Sequence, residues 1–187
     1  MDHLRLICDF GEMSGLFLGS FSLKAFLGRA VQMVSRHMGA AVCSIYIFDE
    51  ESKMLVLRAT VGLDQSSVDR VRLASGEGIV GAALEGRRPI IQRIASEHPN
   101  FKAVPGIDEE RYDAFLAVPI TRGIAPIGVL VVQREGAIPF DEDEAMTLRA
   151  VASQLANSLE NARLLMSAEG SASLGKSEGR RLPKNKR

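Results

Sequence analysis

Gly76-Glu77-Gly78-Ile79-Val80-Gly81 matches the phosphate-cradling pattern G-x-G-x-x-G. Glu97 follows about twenty residues on, where a dinucleotide site places its ribose-binding acid. That chemistry needs a buried parallel strand before the glycines and a full crossover helix after them. Neither is present here. The upstream stretch alternates with Asp69, Arg70 and Arg72, and the helix after the glycines has little room before Gly86. The run therefore reads as a tight turn, with Gly81 kept small for packing, and no nucleotide cofactor is expected.

The other reactive side chains are scattered. His3, His37 and His98 stand apart, none beside a Ser, Cys or carboxylate spaced as a nucleophile and its base. His37 falls in the last turn of a predicted helix, where the dipole favours a cation. Cys43 sits among Val42, Ile45 and Ile47, the setting of a thiol used as a small hydrophobe, with nothing nearby to lower its pKa. Cys8 lies far from it, and the pair matches no metal-ligand spacing. No catalytic residue, metal ligand or cofactor is assigned.

The densest polar chemistry falls in a long irregular segment, residues 95–113, which holds Pro99, Pro105 and Gly106. A loop of that length in a compact domain is commonly functional. It supplies His98, Lys102 and Arg111. Of these, an arginine fork suits a carboxylate in a way that a lysine point charge does not. A solvated cluster formed by Glu109, Glu110 and Arg111 is the competing reading.

The chain has 187 residues, about one domain's worth. Its 23 basic and 23 acidic residues give no global field toward nucleic acid or a membrane surface. From Ser167 onward there are six basic and two acidic residues, leaving 17 basic against 21 acidic in the rest. No run of about 18 apolar residues would span a membrane. Two cysteines are too few for a disulfide scaffold, so a reducing cytoplasmic setting is expected.

The elements follow from periodicity. An apolar helical start at Leu4-Arg5-Leu6-Ile7 gives out around Gly11 and Gly15, defining an N-terminal segment, residues 1–21. Ser22 caps a stronger helix whose stripe is Leu23, Phe26, Leu27, Ala30, Val31, Val34 and Met38, ended by Gly39. Strands are predicted at 42–48 and 54–60, with a weaker one around Val68, Val71 and Leu73. A short helix to Gly86, an edge strand over 89–93, and two central strands over 114–121 and 127–134 follow. Asp141 and Glu144 form a capping-box start for a last helix. In that helix Ala145, Leu148, Ala152, Leu155, Leu159, Ala162 and Met166 recur at alternating steps of three and four, the spacing of a helix-pairing seam. This spacing predicts a homodimer through Leu148, Leu155, Leu159 and Met166, joined by Leu4, Ile7 and Phe10. Val151, Ser158 and Leu165 would serve the helix's other face. Residues 167–187 carry too few apolar groups to fold and read as a disordered basic linker or tail. The whole is an α+β domain with one mostly antiparallel sheet.

Ala114-Phe115-Leu116-Ala117-Val118-Pro119-Ile120, then Ile127-Gly128-Val129-Leu130-Val131-Val132, then Phe140-Asp141 opening a helix resemble the closing half of GAF domains. The glycine run, His98-Pro99-Asn100-Phe101-Lys102, and Glu109-Glu110-Arg111-Tyr112-Asp113-Ala114-Phe115 are similar to the N-terminal GAF domain of one enzyme class. That class is the phosphoenolpyruvate-protein phosphotransferases of the nitrogen-related phosphotransferase system. The likeness covers residues 22–160, within a domain drawn over residues 22–166. It implies chain-end helices on one sheet face and a ligand cavity under short helices and loops on the other, bordered by His98, Lys102, Arg111 and Phe115. It implies a regulatory domain acting on downstream phosphotransferase domains, with 2-oxoglutarate or glutamine as signal. Departures matter too: the phosphohistidine domain, the phosphoenolpyruvate-binding barrel and the Asn-Lys-Phe-Asp-Glu set of cyclic-nucleotide GAF domains do not occur. A ligand-free dimerisation module, a free-standing GAF sensor and a sulfoxide-reductase-type redox enzyme are the other expectations.

Overall fold

In the computed structural model the described residues are 3–20, 22–104 and 111–178, with backbone alone for 16–20 and 165–178. Helix α1 (His3–Ser20) runs straight through Gly11 and Gly15, where sequence reading ended it. Each helix-interior glycine costs about 1 kcal/mol relative to alanine. Against that, Leu6 and Phe10 are fully buried, a gain of about 1.5–3 kcal/mol for each side chain. Burial wins, and the helix continues.

Helix α2 (Leu23–Met38) begins where Ser22 accepts a hydrogen bond from the Ala25 N–H and ends at Gly39 in the left-handed region. Its stripe from Phe26 to Met38 is buried as predicted. Six strands follow: β1 (Val42–Asp49), β2 (Met54–Val61), β3 (Arg72–Ala74), β4 (Ile90–Gln92), β5 (Ala114–Arg122) and β6 (Ala125–Arg134). They form one sheet in the order β3-β2-β1-β6-β5-β4, with every neighbouring pair antiparallel. The third strand is shorter than its apolar pattern suggested. Val68 lies in a turn before it and three residues pair in register with β2, although the Leu57 N–H of β2 also donates to the Val71 carbonyl at 3.0 Å.

Helix α3 (Gly78–Gly86) covers one sheet face, and α2 and α4 (Glu142–Glu178) cover the other. The start of α4 is a reciprocal capping box: the Glu144 N–H donates to Asp141 (2.8 Å) and the Asp141 N–H donates to Glu144 (3.0 Å). Helix α1 lies over the seam between α2 and α4, parallel to α4. His3 meets Thr147 at 2.8 Å, and the Gln154 amide donates to the Ile7 carbonyl at 3.4 Å. Phe10 and Phe26 meet edge to face at 6.3 Å.

This packing changes the meaning of the heptad stripe. Leu148 and Leu155 are fully buried within the protomer, in the same core as Leu6, Val31 and Leu116. Leu159 packs partly against it. Phe10 is inside as well, and so are Val151 and Ser158. Leu148, Leu155 and Phe10 are therefore committed to the chain's own core and cannot also form an exposed seam, whereas Leu159 is half-buried. The Met166 and Leu165 side chains lie outside the described residues. Helix α4 is continuous to Glu178, past the end set at Met166 on apolar content. Once nucleated, a helix extends at one backbone hydrogen bond per residue without needing burial. Residues 179–187 lie outside the described region.

Candidate ligand cavity

The face opposite the long helices carries a second core, in which Tyr46 of β1, Leu55 and Leu57 of β2, Phe115 of β5 and Val129 and Val131 of β6 are buried under Ile79, Val80, Ala83 and Leu84 of α3. The glycine run makes that cover possible. Gly76 and Gly78 have φ of +82° and +67°, which an L side chain resists. At Gly81 an added Cβ would stand 2.4 Å from the Ala74 carbonyl oxygen, so only glycine lets α3 sit this close to the end of β3. The motif is a turn and a close approach, as its context indicated.

Its second residue, Glu77, has a part that sequence reading missed. One Glu77 oxygen accepts from the Ala74 N–H at 2.7 Å, and the other pairs with Lys102. The Ala74 N–H, then the Lys102 ammonium, hold the Glu77 carboxyl below its usual range. Next to Lys102, the Asn100 amide donates to the Gly76 carbonyl at 3.3 Å. The backbone N–H of Asn100 donates to His98 Nδ1 at 3.1 Å, and that of Phe101 to the His98 carbonyl at 2.8 Å. Residues 98–102 are thus a folded strap pinned to the glycine turn. The signal available in sequence was the opposite charge of Glu77 and Lys102, but nothing in the spacing says they meet.

Under the strap lies a cavity of about 20 Å³, lined by Tyr46, Ile79, Val80, Phe101, Lys102 and Phe115 among others. That holds about one water molecule. One wall is the first turn of α3, whose N–H groups have no intrahelical carbonyl and carry the positive end of the helix dipole. Beside it stands the Lys102 ammonium. The arrangement favours an anionic group; Glu77 meets the ammonium from the chain itself but leaves the helix-terminus N–H groups uncapped.

Of the four predicted cavity residues, the fold brings Lys102 and Phe115 to the lining. His98 instead orders the strap from its own turn. Arg111 lies over the Tyr112 ring at 4.8 Å and donates to its hydroxyl. The Tyr112 hydroxyl in turn donates to the Gly62 carbonyl at 3.2 Å. Glu109, Glu110, Pro105 and Gly106 fall outside the described residues.

The thiols are far from equivalent. Cys43 is fully buried in the helix-side core, and burial pushes its pKa well above the usual thiol range. Cys8 is exposed on α1. Among the described residues, no three His, Cys, Asp or Glu side chains gather as metal ligands, and no helix is long and apolar enough to cross a membrane.

A family model described as "GAF domain" matches residues 22–160. The chain belongs to the GAF domain family. Over 127 residues it is 40% identical to an Escherichia coli K12 protein named "Phosphoenolpyruvate-dependent phosphotransferase system". That match spans 68% of this chain but only 17% of the relative's length. In three dimensions it is similar to the GAF domain from a phosphoenolpyruvate-protein phosphotransferase of Coxiella burnetii. The identity there is 29% and the TM-score 0.80, with 89% of this chain and 99% of that one covered. It also shares its fold with a free methionine-R-sulfoxide reductase of Neisseria meningitidis, at 21% identity and a TM-score of 0.73, covering 88% of this chain and 95% of that one. At that identity the likeness speaks to fold alone. The fold is the curled antiparallel sheet with flanking helices that the resemblance implied.

Proposed function

We propose that this GAF domain is a non-catalytic cytoplasmic sensor of a small carboxylate metabolite, 2-oxoglutarate or glutamine. In this reading, occupancy sets the activity of phosphoenolpyruvate-dependent phosphotransferase domains, and so reports nitrogen status. The observation that carries the reading is Lys102 on the wall of the sheet-face cavity, beside the first turn of α3 and paired with Glu77. A ligand carboxylate has the chemistry to replace Glu77 at the Lys102 ammonium and to accept from the open N–H groups of the first turn of α3, which the Glu77 side chain does not cap. Likeness to phosphotransferase GAF domains supports the choice of partner. A metabolite of about ten heavy atoms needs far more than one water's volume, so binding entails swinging the strap bearing Phe101 outward.

Titration calorimetry of the 187-residue chain with 2-oxoglutarate and with glutamine tests this. Heat from either metabolite, lost in Lys102→Ala and kept in Arg111→Ala, is the expected result. Absence of heat from both would end the sensing reading.

The smallness of the cavity favours a second reading, a ligand-free module whose role is assembly. In that case Phe101 and Phe115 are ordinary core, and no metabolite changes the melting temperature. The redox reading finds no support in the thiols: Cys43 is sealed and Cys8 stands on the opposite side of the sheet from the cavity.

A further inference from the structure

A second concavity lies between α4 and the end of the sheet where β1 stops and the β5–β6 hairpin turns, and its volume is about 460 Å³. Small-molecule sites run from about 300 to 1,000 Å³. The groove therefore has the room that the sheet-face cavity lacks. Its floor is apolar: Ile47 of β1, Ile127 of β6 and Leu159 of α4 line it, each half-buried against the helix-side core. Leu23, the first residue of α2, also lines it and stays 37% exposed.

Charge around the groove adds an independent observation. Arg122, at the end of β5, meets Glu160 of α4 at 2.9 Å, and Glu50, just past β1, meets Arg163 of α4 at 3.2 Å. Glu160 and Arg163 are three residues apart and so are neighbours on one helix face. The α4 wall thus sets a carboxylate beside a guanidinium, and the sheet wall answers with a guanidinium and a carboxylate. Arg122, Glu50 and Arg163 are 58%, 66% and 68% exposed. Pairs in that setting contribute little and exchange partners cheaply. A lone carboxylate that took Arg122 would still leave Glu160 facing it, and a lone ammonium on Glu160 would leave Arg122 facing the ligand's charge. A zwitterion offers the guanidinium a carboxylate and the carboxylate an ammonium, so every charge keeps an opposite partner.

We infer that this groove binds a free α-amino acid with an apolar side chain, of the size of leucine or phenylalanine. Its charged end sits between Arg122 and Glu160, and its side chain lies on Ile47, Ile127 and Leu159. Among the described side chains, Leu159 and Ala162 are the last of α4 to pack on the core. An occupant here therefore touches the helix where its hold on the sheet ends, and ties β1, the β5–β6 hairpin and α4 together. The inference is independent of the sheet-face cavity. The two sites share no lining residue, and their floors belong to opposite faces of the sheet.

Titration calorimetry of the full chain with L-leucine and with L-phenylalanine tests it, and NMR shift changes locate the site. Expected is saturable heat from at least one of the two, unchanged in Lys102→Ala, with the largest shifts at Ile47, Ile127 and Leu159. Isocaproate and isopentylamine, which each keep one of leucine's two charges, should bind at least tenfold more weakly than leucine. Arg122→Gln and Glu160→Gln should each weaken amino-acid binding at least tenfold. Circular dichroism of both variants should stay at the wild-type value, because the pair lies at the surface. No heat from either amino acid at about 10 mM, equal affinity for a single-charge analogue, or shifts centred on Lys102 and Phe115 would each overturn the inference. So would self-association of the ligand-free chain that Arg163→Glu abolishes, because a second copy would then be the occupant of the groove.

Discussion

Arg134 at the end of β6 pairs with Glu144 in the first turn of α4, and the same guanidinium donates to the Met38 carbonyl of α2 at 2.6 Å. It also stacks on Phe140 at 4.1 Å. One largely buried arginine thus ties the sheet, the end of α2 and the start of α4 together. Glu144 in turn accepts from the Asp141 N–H, so the capping box and the ion pair share a carboxylate.

Removing one partner of this pair should be severe. Arg134→Ala is expected to destabilise the fold by about 3–5 kcal/mol, because it leaves the Glu144 carboxylate buried and unpaired. Replacing both partners with apolar residues, Arg134→Met with Glu144→Leu, should cost much less than the single change. Urea denaturation of the three proteins checks the order. A loss below about 1 kcal/mol for Arg134→Ala would show that the pair contributes little, as exposed pairs do.

Leu155→Ala should cost about 2–5 kcal/mol by creating a cavity under α4. Charged residues at Leu155 and Leu159 together should unfold the chain, where the sequence-based seam predicted a folded monomer. Far-ultraviolet circular dichroism of the double variant decides between them.

The Glu77 anchor has a defined pH dependence. A carboxyl whose folded pKa is depressed contributes stability that is complete above its ordinary value, 4.5, and is lost as pH falls through the depressed value. The Ala74 amide proton, bonded to that carboxylate, should therefore titrate in NMR spectra with a midpoint below 4.5. Glu77→Gln should abolish the transition. A midpoint at or above 4.5 would contradict the geometry.

Phe101→Ala removes the ring that fills the cavity under the strap. If the strap must open for a metabolite to enter, apparent affinity is reduced by the fraction of open molecules. The variant should then bind 2-oxoglutarate or glutamine more tightly than wild type by calorimetry. Weaker binding would make Phe101 a contact for the ligand and not an obstacle to it.

Much of the scaffold was legible one element at a time, because local rules act over a few residues. Ser22, Gly39 and the Asp141–Glu144 box marked helix ends through hydrogen bonds that span three or four positions. The continuous apolar runs of β5 and β6 announced strands covered on both faces, and both faces are covered. The glycine run was readable as a turn, since its neighbours lacked the strand and helix a nucleotide site needs.

What the tertiary structure alone decided is where each apolar or charged face is spent. An amphipathic stripe has the same period whether it meets its own sheet or another molecule. Leu148 and Leu155 could be assigned to a core only once β5 and α1 were in place against them. The same holds for Lys102 and Arg111, which are close in sequence but separately committed, one to Glu77 and the other to Tyr112. A cavity's volume is the small remainder after large side chains pack. No residue count predicts whether Phe101 and Phe115 leave room for a metabolite or for one water.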